Sequence, residues 1–210
     1  MEPKTTVRPG SIGGAPVVGS SVLLVVALAI AATGGSVGLG AGTNGPGVGG
    51  LILIGAIVLG SLGAGIIGLS GPAPLRGRAV RIGLCALALG LAGIVSSSVI
   101  AMGLTFDPLE NGPFVILFLV GGLGIMVGVP LTLVSLLLMP RWPRRIAGFF
   151  VIGLLLDMAA GNILGSLGSQ AFLIAGMAMS LVGTGSMILA VAGIGRLVIE
   201  GSRAATPATA

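Results

Sequence analysis

Five acids, Glu2, Asp107, Glu110, Asp157 and Glu200, are all the carboxylates this chain of 210 residues holds. No two are spaced within a helix as a metal site or an acid–base pair requires. Histidine and tyrosine are absent and Cys85 is the single cysteine. Those absences exclude a Cys/His zinc site, an axial-histidine haem site, a disulfide framework and any histidine-based triad. No catalytic residue, metal ligand or cofactor is therefore expected, and the chain is not expected to be an enzyme.

Asp157 is the acid that stands apart, because it lies inside a long apolar run. It follows Ile146, where that run begins, by 11 residues, or about 16 Å of helix at 1.5 Å per residue. A carboxylate near a bilayer centre costs roughly 2.5–3.5 kcal/mol on insertion scales and marks a candidate functional site. Ser61, Ser180 and Thr184 are polar residues expected at similar depth, and Asn162 follows one turn further along the same run. Two roles suit Asp157. It could bind a proton or cation in a small polar site, or it could hydrogen-bond a neighbouring hydroxyl or carbonyl and fix helix register. The second is the expectation, because Asp157 interrupts the glycine series Gly153, Gly161, Gly165.

Two stretches carry the letters of a dinucleotide fingerprint, Gly40-x-Gly42-x-x-Gly45 and Gly63-x-Gly65-x-x-Gly68. That motif works only between a strand and a helix of a βαβ unit. Neither stretch follows a strand, and with 40 glycines such matches arise by chance.

The elements that would position Asp157 follow from composition. Hydrophobic residues make up 55% and charged ones 7%, with a mean hydropathy of +1.19. A soluble domain carries about a quarter charged residues, so an all-α integral membrane protein is expected. Six segments, 18–38, 50–70, 79–103, 113–139, 146–168 and 170–195, are long enough to cross a core of roughly 30 Å. Residues 1–17 are expected to form a cytoplasmic segment and 197–210 a disordered cytoplasmic tail. The first segment has features of a signal peptide, with Lys4 and Arg8 before an apolar run, but is expected to remain as a membrane helix. A β-barrel would need alternating strands and aromatic girdles, which runs such as Val22–Ile30 and Val134–Met139 do not supply.

Counting six helices places every basic residue on one side. Lys4 and Arg8 precede the first segment; Arg76, Arg78 and Arg81 lie between the second and third; Arg141, Arg144 and Arg145 between the fourth and fifth; Arg196 and Arg203 after the sixth. The loop with Asp107 and Glu110 has no base. Lys and Arg in short loops mark the cytoplasmic side, so both termini are expected there, in a plasma or inner membrane. Arg76, Arg78, Arg81, Arg141, Arg144, Arg145 and Trp142 are expected at the lipid interface. Anionic head groups then account for a net charge of +5 without a nucleic-acid partner.

Glycine and other small residues recur four apart, at Gly60/Ala64/Gly68, Gly124/Gly128 and Gly176/Ser180/Thr184. Such spacing lets helix backbones approach closely in lipid. Leu59–Gly63 resembles Val120–Gly124, each in a helix that ends in a Pro/Arg loop, a faint sign of equivalent hairpins. Pro130 should kink the fourth helix, and Cys85 reads as a small buried hydrophobe. The expected function is a non-catalytic subunit or scaffold that packs with other membrane chains, or with itself, through small-residue faces. The alternative is a transporter or channel for a small solute or ion, with Asp157 as its binding residue.

Overall fold

In the computed structural model, residues 9–33, 47–71, 75, 77–103, 112–139, 142–159 and 170–204 are described. They form six helices: α1 (Pro9–Ala32), α2 (Val48–Ser70), α3 (Arg78–Gly103), α4 (Gly112–Leu137), α5 (Trp142–Ala159) and α6 (Gln170–Ala204). Five of them, all but α5, are long and apolar enough to cross a membrane. The described part of α5 is 18 residues long and carries Arg144, Arg145 and Asp157. Residues 160–168, which the sequence assigns to the same helix, lie outside the described residues. Among the described residues five helices thus meet the length and composition of a membrane span, and the fifth of the six expected spans lies partly outside them.

Local chemistry explains the boundaries. α1 starts at Pro9, nine residues before the expected 18, and proline suits a first helical position because its missing N–H has no partner there anyway. Gly13 and Gly14 look like loop residues in sequence. In the fold, they are where α2 and α6 pack closely on α1: a Cβ on Gly13 would lie 2.9 Å from Ile67, and one on Gly14 would lie 2.8 Å from the Gly195 carbonyl. α2 ends where Gly71 adopts φ 53° and returns its N–H to the Ile67 carbonyl at 2.9 Å, a left-handed cap that favours glycine. α4 continues through Pro130. α6 runs to Ala204, so part of the tail expected to be disordered is helix. Its last turns carry an exposed Arg196–Glu200 pair, 2.6 Å apart.

Each helix packs against its neighbours in sequence and α6 closes on α1, making a ring in which the α4–α5 contact is the sparsest. These contacts run in opposite order along the two helices, as in Gly13/Ile67 with Ser20/Gly60, Gly68/Cys85 with Gly60/Leu91, Gly83/Thr132 with Gly93/Gly121, Gly153/Met187 with Asp157/Gly183, and Gly14/Ile199 with Val18/Gly195, so the helices of each of these pairs are antiparallel. The start of α1 and the end of α6 consequently share one end of the ring with Arg78, Arg81, Arg144, Arg145 and Arg196. The tightest core gathers towards that end, where Ile67, Leu75, Val80, Leu136, Ala147 and Val198 are almost wholly buried. Large apolar side chains such as Leu69, Met126 and Leu138 cover the outside, as suits a surface solvated by lipid.

The similarity between Leu59–Gly63 and Val120–Gly124 has a counterpart in packing. Gly60 and Gly63 lie against Ser20 and Val17 of α1, the preceding helix, and Gly121 and Gly124 against Ile94 and Gly90 of α3, again the preceding helix.

Candidate functional site

Asp157 is half-buried on α5, where that helix crosses α6. The crossing is set one turn away by Gly153 and Gly183, both buried. A Cβ on Gly153 would stand 2.5 Å from the Gly183 carbonyl, and one on Gly183 would stand 2.6 Å from the Gly153 carbonyl. Any larger residue at either position would hold the helices apart. With no side chain at either, Ser180 on α6 reaches Asp157, and its hydroxyl donates to Oδ1 at 2.5 Å. Thr184 follows Ser180 by one turn and is half-buried.

The other expected members are placed differently. Ser61 donates to the Ala88 carbonyl at 2.8 Å, so it ties α2 to α3 on another side of the ring. Asn162, Gly161 and Gly165 lie outside the described residues. Gly124 and Gly128 face α3, where added Cβ atoms would come within 2.6 Å of the Gly90 Cα and 2.5 Å of the Leu87 nitrogen.

Their partners on α3, Gly83, Gly90 and Gly93, do not fall four apart and so stand outside the small-residue series of the sequence. Their spacings of seven and three place residues on one helix face as surely as a spacing of four does. Gly183 lies outside those series for the same reason.

Among the interfacial residues, Trp142 is 67% exposed. Arg81 does more than face the interface. Its Nε–H and Nη2–H donate to the Gly68 and Leu69 carbonyls, both at 2.9 Å. The last carbonyls of a helix lack intrahelical donors, and Arg81 supplies two. Arg144 does the same for α4, through Nε–H to the Leu137 carbonyl at 3.0 Å. Arg76 and Arg141 lie outside the described residues.

The ring surrounds a partly open cavity of about 340 Å³ lined from all six helices, by Leu24, Ala64, Leu87, Val129, Phe150 and Val191 among others. Among the described residues Ser20 is the only hydroxyl on its wall, and that hydroxyl already donates to the Ala56 carbonyl at 2.7 Å. Water needs two to four polar partners, so such a space stays dry. Asp157 stands seven residues beyond Phe150 on α5, about 10 Å further along the axis, and does not line the cavity. Among the described residues no three His, Cys, Asp or Glu side chains converge as a metal site would need.

The fold and these sites define a helical, multi-pass membrane protein. Comparison with known protein families, curated proteins and solved structures finds no match for the chain.

Proposed function

We propose that the chain is a non-catalytic membrane subunit or scaffold, which acts by packing in a larger membrane assembly with both termini cytoplasmic and with α5 as a sixth span. One observation carries the reading: the space lined by all six helices is apolar, and of the hydroxyls nearby Ser20, Ser21, Ser61 and Ser97 are engaged while Thr132 is not. Ser20 and Ser61 bind carbonyls of neighbouring helices, and Ser21 and Ser97 bind carbonyls of their own. An interior of this kind suits packing, whereas solute passage needs convergent polar groups along a route. The glycines of the α3–α4 and α5–α6 seams meet one another within the chain, whereas Gly122 of α4, Gly148 of α5 and Gly185 of α6 have no neighbour within 4 Å and remain for a partner. α4 is the least covered span, 17% buried against 33% for α3, and is the face assigned to the partner.

Purification in a mild detergent tests this reading. A subunit brings a stoichiometric partner chain or a second copy, and photo-crosslinkers at Met126 or Leu119 on α4 capture it. A chain that runs alone as a monomer and crosslinks only to lipid rejects the proposal.

A second reading, proton- or cation-coupled transport, is favoured by the Ser180–Asp157 hydrogen bond. It predicts that Asp157→Asn abolishes ion-dependent flux in reconstituted vesicles, and flux equal to wild type would remove Asp157 from that role.

A further inference from the structure

A groove of about 450 Å³ runs between the end of α2 and the first three turns of α3, lined by Gly68, Leu69, Arg78, Arg81, Ile82, Cys85, Ala86 and Leu89. Its two ends differ in chemistry. Arg78 and Arg81 stand at the end where α3 begins, and Ile82, Cys85, Ala86 and Leu89 carry the groove along the helix towards the middle of the bundle. Among the described residues no acid lines it.

Arg81 is held in place. Gly68 and Leu69 take two of its N–H donors, and Gly71 sits against its side chain, with the site of an added Cβ 3.0 Å from Nε. A guanidinium has five donors in a fixed fork, so three remain for an anion. Arg78 is exposed at the first position of α3, where the free N–H groups of a helix start also favour negative charge. The groove thus offers a positive head, fixed before any ligand arrives, and an apolar track behind it.

We infer that this groove is a binding site for an anionic phospholipid, with the phosphate between Arg78 and Arg81 and one acyl chain along Ile82, Ala86 and Leu89. Charge complementarity selects the head group, and the apolar track selects a lipid over a free anion. Arg144 provides a contrast: it also binds the end of the preceding helix, but it lines neither this groove nor the central cavity.

The test uses the full chain, purified in mild detergent and titrated with phosphatidylglycerol, phosphatidylcholine or inorganic phosphate, with bound lipid counted by native mass spectrometry. Wild type should hold one phosphatidylglycerol at least tenfold more tightly than phosphatidylcholine. Arg78→Gln should weaken it about fivefold, as expected for one basic residue near a charged surface. Leu89→Gln, at a side chain 65% exposed, should weaken it through the acyl chain. Arg144→Gln should leave binding unchanged. Equal affinity for the two lipids, no change with Arg78→Gln, or displacement by millimolar inorganic phosphate would each overturn the assignment. Both groove variants replace exposed side chains, and unchanged circular dichroism certifies their folding.

Discussion

The α3–α4 and α5–α6 pairs solve the same problem with different residues. Both are antiparallel and both bring backbones together where side chains are missing. Along α3–α4 the contact is carried by Gly83, Gly90 and Gly93 facing Gly121, Gly124 and Gly128. Its closest side-chain oxygen, Thr132 Oγ1, is buried without a hydrogen-bond partner and lies against Gly83. Along α5–α6, among the described residues, Gly153 and Gly183 are the one glycine pair whose backbones meet, and an acid bonded to a serine follows one turn on. The first pair shows that close packing in this chain needs no acid. Asp157 is therefore surplus to the approach of its helices, and what it adds is a polar bond at a chosen register.

The largest effect should come from restoring a Cβ to the seam that relies on glycine alone. Gly124→Ala places a methyl 2.6 Å from the Gly90 Cα, where backbone must give way. Overpacking of this kind costs about 1–3 kcal/mol, and it should appear as a lowered midpoint in thermal unfolding followed by circular dichroism. Gly122→Ala, two residues away with nothing within 4 Å, should stay within about 0.5 kcal/mol of wild type. Equal behaviour of the two variants would mean that α3 and α4 are not in contact through these residues.

Much of this contrast is legible in the sequence. The bounds of the second, third and fourth helices agree with the sequence reading to within two residues, because apolar runs ending in Pro, Arg or Gly leave little freedom. Residue type and depth alone single out both Asp157 and Ser180. Rotation is what they do not give. Ser61 shares their chemistry, yet its helix turns it towards Ala88, and only the neighbours of α2 decide that. The start of α1 is hidden because Gly10, Gly13, Gly14 and Pro16 carry loop chemistry when read alone. Two of those glycines are contact points for other helices, and that is a tertiary fact. Arg81 reads as a lipid anchor because the orphan carbonyls it serves belong to a different helix.

An intermediate effect is expected in the space between the two pairs. Leu87 and Val129 from one pair, and Phe150 and Val191 from the other, line the central cavity. Val191→Leu adds one methylene to that wall. Cavity filling commonly yields about 0.5–2 kcal/mol, so the thermal midpoint should rise. A fall would mean that the cavity is already occupied or closed, and would set the α5–α6 side of the ring on the same footing as the tightly packed α3–α4 side.

The smallest effect is the one that isolates what Asp157 contributes. In a double-mutant cycle, Asp157→Ala and Ser180→Ala each remove one end of the bond, and the coupling between them measures the bond itself. Hydrogen bonds between membrane helices average about 0.6 kcal/mol and reach about 1.7, because each group finds other partners when the first is lost. A coupling in that range, with little change in either variant's helical content, makes the pair a register device laid over a glycine contact. A coupling near zero would leave Asp157 without a structural role. The insertion cost of roughly 2.5–3.5 kcal/mol for an acid at membrane depth would then have no structural return, and the balance would move towards proton or cation binding. The α3–α4 seam supplies the control for either outcome. Thr132→Val removes a hydroxyl that has no partner there, and should be neutral or stabilising, the opposite sign from removing Ser180.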